Sequence, residues 1–145
     1  MTKFEKSAGA IIFRTEGNNI FYLLLRYPSY WGFAKGNIEE KENEEQTTIR
    51  EIKEETGLDD IVLLKGFKEK IAWFYRMNNE LRRKEAIYFL AETKTKEIKI
   101  SKEHDDFKWL SYEDTLKLIK IKSNKQLMEK ADKFIKEHLK QKTLL

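Results

Sequence analysis

The sequence predicts an α/β protein, a three-layer α/β/α sandwich, and three features carry that expectation. Apolar runs of strand length recur along the chain, KSAGAIIF, IFYLLLR and KEAIYFLA among them, and supply a sheet. A capped helix lies early, between Asn43 and Gly57. A second helical region closes the chain, where Leu127, Met128, Ala131, Phe134, Ile135 and Leu139 recur at helical period. The early helix on one side of a central sheet and the C-terminal helices on the other give the three layers.

Residues 6–13 read as a strand whose small residues let another element come close, and residues 14–19 as a turn. Residues 20–26 are almost continuously apolar, as in a strand buried on both faces. Pro28 opens a loop through Lys35 that carries Tyr30, Trp31 and Phe33, aromatics that either cap the core or meet a ligand. Asn43 is a suitable N-cap with Gln46 as the return partner of a capping box, and Gly57 a suitable C-terminal stop. Further strands are expected at 61–67, 68–75, 84–91, 97–100 and 107–110, with a turn over 77–83 and a polar loop over 101–106. Ser111 with Asp114 starts a helix to about Ile119, another begins near Asn124, and the last few residues are expected to fray.

The 145 residues suffice for one domain, residues 1–145, with a real core. Hydrophobic residues make up 40%, against disorder. No apolar run reaches membrane-spanning length, and the N-terminal segment lacks the apolar stretch of a signal peptide. The absence of cysteine removes disulfides, thiolate metal sites and cysteine nucleophiles, and fits a cytoplasmic protein. A net charge of +4 from 29 basic and 25 acidic residues does not mark a nucleic-acid binder.

The chemistry concentrates between Gly36 and Leu58. On a helical projection Glu51, Glu54 and Glu55 share one arc with Glu44, and Ile49, Ile52 and Thr56 lie on another side that can face a core. Like charges so close repel, and a cation against them relieves the repulsion. An all-oxygen ligand set favours a hard divalent ion, Mg²⁺ or Mn²⁺.

Gly36, Glu42, Arg50, Glu51, Ile52, Glu54, Glu55, Gly57 and Leu58 together match G-x5-E-x7-R-E-U-x-E-E-x-G-U, where U is bulky and apolar. This stretch resembles a complete Nudix box, the signature of hydrolases that cleave nucleoside diphosphates linked to another group. A solvated acidic helix would have no reason to keep the glycines and arginine in register. The resemblance implies a mixed central sheet. It makes Glu51, Glu54 and Glu55 metal ligands, Arg50 the organiser of the loop and carboxylates, Glu42 an orienting residue, and Lys35 with Gly36 the segment that meets the phosphates. The general base differs between branches and stays open.

Beyond the box, WGFAKGNIE, GFKEKIAWFYR, KEAIYFLAE and SKEHDDFKWL resemble, in order and spacing, the asymmetrical diadenosine tetraphosphate hydrolases. That similarity implies metal assistance from Glu103 and adenine stacking by Tyr88 with Trp31, Trp73 or Tyr75. Each has a structural alternative: Glu103 as a solvated acid, Tyr88 as core, His104 as a surface or packing residue. Trp109 reads as core, on the strand face of Phe107. Arg82, Arg83 and Lys84 form either a solvated turn or a contact to a distal phosphate. Ala34 stands where relatives often have proline, and Lys41 where many have glycine, so the loop is expected to be aimed differently. The expected reaction is off-centre cleavage of diadenosine tetraphosphate to ATP and AMP. The alternatives are a Nudix pyrophosphohydrolase of nucleoside triphosphates, RNA 5′ ends or inositol pyrophosphates, and a nucleotide-binding module without catalysis. The expected partner is a small nucleotide, with no membrane, no nucleic acid beyond an RNA 5′ end, and a monomer or homodimer.

Overall fold

The structure, a computed structural model, describes residues 3–144. Its centre is a pair of long parallel strands, β1 (Lys3–Glu16) and β7 (Glu80–Glu92), in register from Lys3 opposite Arg82 to Phe13 opposite Glu92. All other pairings are antiparallel, which makes the sheet mixed. The free edge of β1 is shared by β2 (Asn19–Arg26) and β4 (Ala34–Asn37). The free edge of β7 is shared by β5 (Val62–Leu63) and β6 (Glu69–Met77). β3 (Trp31–Gly32) and β8 (Phe107–Leu110) flank β2.

Side chains alternate across the sheet and build two cores. Ile11, Phe13, Tyr22, Leu24, Tyr88 and Leu90 face α3 (Lys122–Leu144), whose Leu127, Met128, Ala131 and Ile135 are buried against them. The short α2 (Tyr112–Leu118) borders this side through Leu116 and Leu118. Ala10, Ile12, Leu23, Leu25, Ile87 and Phe89 face the other way, onto Ile52 and Leu58 at α1 (Glu44–Thr56). The result is the α/β/α sandwich, and β2 is buried on both faces as its composition indicates.

α1 is capped as the sequence requires. Asn43 accepts from the Gln46 N–H, the Gln46 side chain accepts from the Asn43 N–H, and Gly57 turns the chain at φ +77°. The small residues of β1 let β4 lie against it: a Cβ on Gly9 would collide with the Ala34 carbonyl and with Lys35.

Several boundaries differ from expectation. The aromatic loop before Gly36 is clamped into the sheet as β3 and β4. The strand expected over 61–67 stops after Leu63, ahead of Gly66 at φ +96°. The turn expected over 77–83 is only Asn78 and Asn79, both at positive φ, and its polar flanks are hairpin arms. Residues 97–100 form no strand. They strap the end of α1, where Lys99 N–H donates to the Thr56 carbonyl and Ser101 N–H to that of Glu55, two groups a helix terminus leaves unpaired. α3 starts at Lys122, slightly before Asn124, and the expected fraying falls where only the backbone up to Leu144 is described. On α1, Thr48, Ile52, Glu55 and Thr56 are buried and Ile49 is exposed, so the core-facing arc is rotated away from Ile49 and towards Glu55.

Lys41 sits at φ +70° in the turn before Glu42. A left-handed conformation costs a side-chain-bearing residue about 1 kcal/mol, which glycine avoids at some entropic expense. Lys41→Gly is therefore expected to raise the melting temperature by roughly 1–2 °C, the net of these opposing terms. An unchanged or lower melting temperature in thermal unfolding would show that the entropic cost of glycine equals or exceeds the strain it relieves in this turn.

Candidate active site

Two structures meet at the segment Lys35–Gly36: the carboxylate face of α1 and an aromatic cavity on the α3 side of the sheet. Gly36 permits the first contact, because Glu51 lies directly where a Cβ on residue 36 would be.

Arg50 organises the acids. Nε donates to Glu42 Oε2 (2.7 Å) and Nη2 to Glu42 Oε1 (3.0 Å) and the Asn37 carbonyl (3.1 Å). Nη1 donates to Glu51 Oε1 (2.9 Å) and Glu54 Oε2 (3.2 Å). All five N–H donors are thereby matched with an acceptor, a use of the planar fork that lysine cannot reproduce. The guanidinium and the Glu39 and Thr47 hydrogen bonds hold the Glu42 carboxyl down at about 2. Glu44, on the same helical arc, is drawn off by Lys68 at 2.6 Å.

Glu55 occupies the interior end of the group. It is 2% exposed; Oε1 lies 3.1 Å from His104 Nε2, and Oε2 has no hydrogen-bond partner. Burial first, and then the charges of Glu51, Glu103 and Glu54, push its carboxyl up to about 9, with the Lys35 backbone opposing. Burial also raises Glu51, against the pull of Arg50. His104 is buried edge-on to the Tyr27 ring (4.5 Å between centroids), and desolvation lowers its pKa. Ligand atoms of Glu55, Glu103 and His104 lie within 4.8 Å of one another, a group that could hold a metal ion. The chemistry of the donors fits a hard cation: crowded carboxylates, two of them with raised pKa values, and one oxygen left unpaired in the interior.

The cavity, of about 520 Å³, is walled by Tyr30, Phe33, Trp73, Tyr88, Ile71 and Ile121, among others. Lys35 enters it with Nζ 5.0 Å from the centre of the Trp73 ring. Burial, and then the nearby charge of Lys84, lower the pKa of that amine. Tyr88 is buried edge-on to Phe33, so it belongs to the core and to the cavity wall at once.

The structure thus brings Glu51, Glu54, Glu55, Arg50 and Gly36 together around α1, adds Glu103 from the loop before β8, and joins Lys35, Trp73 and Tyr88 in the cavity. Trp31 and Tyr75 do not line it. Trp31 packs from β3 beside Arg26 and Lys108, and the Tyr75 hydroxyl donates to Glu5 further out along β6. Arg82 and Lys84 pair with Glu5, and Arg83 with the buried Glu85. Trp109 packs with Phe107 against the core on the α1 side. Of the loop aromatics left open between core and ligand contact, Tyr30 and Phe33 line the cavity, and His104, read as a surface or packing residue, lies against Glu55. The aromatic loop was the available signal for the first two; nothing local ties His104 to a helix 49 residues away.

A profile of the NUDIX domain matches residues 3–131. The bis(5′-nucleosyl)-tetraphosphatase [asymmetrical] of Mus musculus is 30% identical over 143 residues, covering 90% of this chain and 95% of the mouse protein. A crystal structure of a C. elegans Ap4A hydrolase binary complex superposes with a TM-score of 0.81 at 29% identity, over 92% of this chain and 98% of that one. A dihydroneopterin triphosphate diphosphatase of Haemophilus influenzae is 26% identical over 138 residues, covering 88% and 87% of the two chains. No described helix is long and apolar enough to cross a membrane.

Proposed function

The chain belongs to the Nudix family and is a hydrolase, and from that premise we propose that it cleaves diadenosine tetraphosphate off-centre, to ATP and AMP. The observation that carries this reading is the position of Lys35. Its backbone lies beside Glu55 and its ammonium lies in the aromatic cavity, so one residue joins a nucleoside-sized pocket to the acidic helix. The similarity to asymmetrical tetraphosphatases points the same way.

Glu51, Glu54, Glu55 and Glu103 would hold Mg²⁺, with Mn²⁺ as a substitute. The ion supplies charge neutralisation at the phosphate oxygens and acidification of the attacking water. Arg50 fixes Glu51 and Glu54 and ties them to the loop through Glu42 and Asn37. With its proton on Nε2, His104 would donate to Glu55 Oε1 and fix it, which leaves Oε2 for the ion. Tyr30, Trp73 and Tyr88 grip one adenosine, Lys35 binds its adjoining phosphates, and the apolar walls keep water off the base. An adenosine fixed in one pocket sets the attacked phosphorus at a fixed distance from one end of the chain. Water adds to that phosphorus, the bond to the bridging oxygen breaks, and AMP and ATP separate.

The products test this. With Mg²⁺, diadenosine tetraphosphate is expected to give equal ATP and AMP, and reaction in ¹⁸O-water is expected to label only one of them. Two equivalents of ADP would overturn the pocket assignment. Turnover of nucleoside triphosphates or RNA 5′ ends without cleavage of the dinucleotide would keep the chemistry and change the substrate.

A further inference from the structure

The cavity is largely apolar, and the start of α3 is a polar exception. Ser123 and Asn124 close it there. Asn124 is only 8% exposed, and its carboxamide forms no hydrogen bond with any described residue. The carboxamide is not sealed from solvent but open at the cavity it lines, and an unpaired polar group on a largely apolar wall calls for an explanation. The helix does not supply one. α3 begins at Lys122, so Asn124 lies inside the first turn rather than at the cap, and its side chain makes no capping hydrogen bond. An apolar side chain would satisfy both the helix and the neighbouring walls. A local rule broken at the wall of a cavity is what a binding role produces.

The remaining walls define what the amide can meet. Tyr30, Trp73 and Tyr88 offer ring faces and edges to a flat aromatic ligand, and Lys35 takes a neighbouring anion. They make stacking and charge contacts, which do not distinguish one base from another. A carboxamide does distinguish, because it carries a donor and an acceptor side by side. Adenine presents the matching pair, its exocyclic amine beside a ring nitrogen. We propose that Asn124 is a specificity-determining residue whose carboxamide pairs with the amine and adjacent ring nitrogen of an adenine held in the cavity. This rests on the cavity being the nucleoside site.

The test uses calorimetric titration of the whole chain with ADP and with purine riboside 5′-diphosphate, both in Mg²⁺. The second nucleotide keeps the ring and phosphates and lacks the exocyclic amine. Wild type is expected to bind ADP about 5–10-fold more tightly, the scale of one of the two hydrogen bonds of a bidentate base contact. Asn124→Leu, of similar size, is expected to weaken ADP until the two nucleotides bind within about twofold of each other, and to weaken the purine riboside compound less, because that compound loses only the hydrogen bond to its ring nitrogen. Asn124→Ala, which cannot overfill the site, is expected to do the same, and thermal melting checks that both variants fold. Equal binding of the two nucleotides by wild type, or an equal loss of both in the variants, overturns the proposal and leaves the cavity assignment standing. Trp73→Ala separates the other failure: if it weakens neither nucleotide, the cavity is not the nucleoside site and the role of Asn124 falls with it.

Discussion

Glu55→Gln is expected to lower kcat by about 10³-fold while making the metal-free protein more stable at pH 8. The first effect follows from the proposed metal site: without Glu55 the ion would lose an anionic ligand, and its neutralisation of transition-state charge contributes several kcal/mol. The second follows from linkage. The folded carboxyl has its pKa raised from 4.5 to about 9, mainly by burial. Below pH 4.5 the group is neutral in both states and costs nothing. Between pH 4.5 and 9 the unfolded chain has released the proton and the folded chain has not, so stability falls as pH rises through this window. Glutamine, neutral throughout, removes that fall. Bound Mg²⁺ is expected to reverse the order, because an ion at Glu55 would hold the ionised carboxylate in the folded state and bind more tightly as pH rises. In EDTA at pH 8 the variant is expected to melt at least roughly 2–4 °C above wild type, the response to about 1 kcal/mol in a chain of this size. In saturating Mg²⁺ wild type is expected to melt higher. A variant that melts lower in EDTA would show that the buried carboxylate is structural, and near-normal turnover would remove Glu55 from the metal site.

That conflict between stability and function explains how much of the site was legible. The caps of α1 and the Arg50–carboxylate spacing are local, and residues 43–57 specify them without help. The helix's orientation is not local. Ile49 is the apolar residue a wheel would bury, yet the sheet receives Thr48, Ile52 and Glu55. A carboxylate occupies an interior position that pattern reading reserves for hydrocarbon, and His104 makes it tolerable from a distant loop.

The strands divide the same way. β2 and the inner half of β7 are buried on both faces and read plainly as apolar runs. The tip of the β6–β7 hairpin is exposed, and its polar arms look like a turn by composition. β3, β4 and β5 have two to four residues each and exist because β2, β1 and β7 offer an edge to pair with, which no short window encodes. The cavity is assembled from the aromatic loop, β6, β7 and the start of α3. Trp73, Tyr88 and Lys35 are legible as candidates and Tyr30 and Phe33 as aromatics of an ambiguous loop, whereas Asn124 enters from a helix that reads as ordinary core packing.

Arg50→Lys is expected to lower activity about 10–100-fold and the melting temperature by roughly 3–6 °C, with the net charge unchanged. Partners that orient metal-site residues typically carry effects of that size on activity. The guanidinium spans three elements in one plane: Glu42 in the loop, the Asn37 carbonyl at the end of β4, and Glu51 with Glu54 on α1. An ammonium has three donors on a flexible stem and can keep the charge without the geometry. Glu42 would lose its paired contact and, with it, the support that sets its pKa near 2. Glu51 and Glu54 would repel each other across a less well-placed cation. The loop and the helix then lose their common fixed point, and the melting temperature is expected to fall by a few degrees. Added Mg²⁺ is expected to recover part of both losses, since an ion between the acids does part of the arginine's work. A large fall in activity with unchanged melting, and no response to Mg²⁺ concentration, would instead place Arg50 on the substrate.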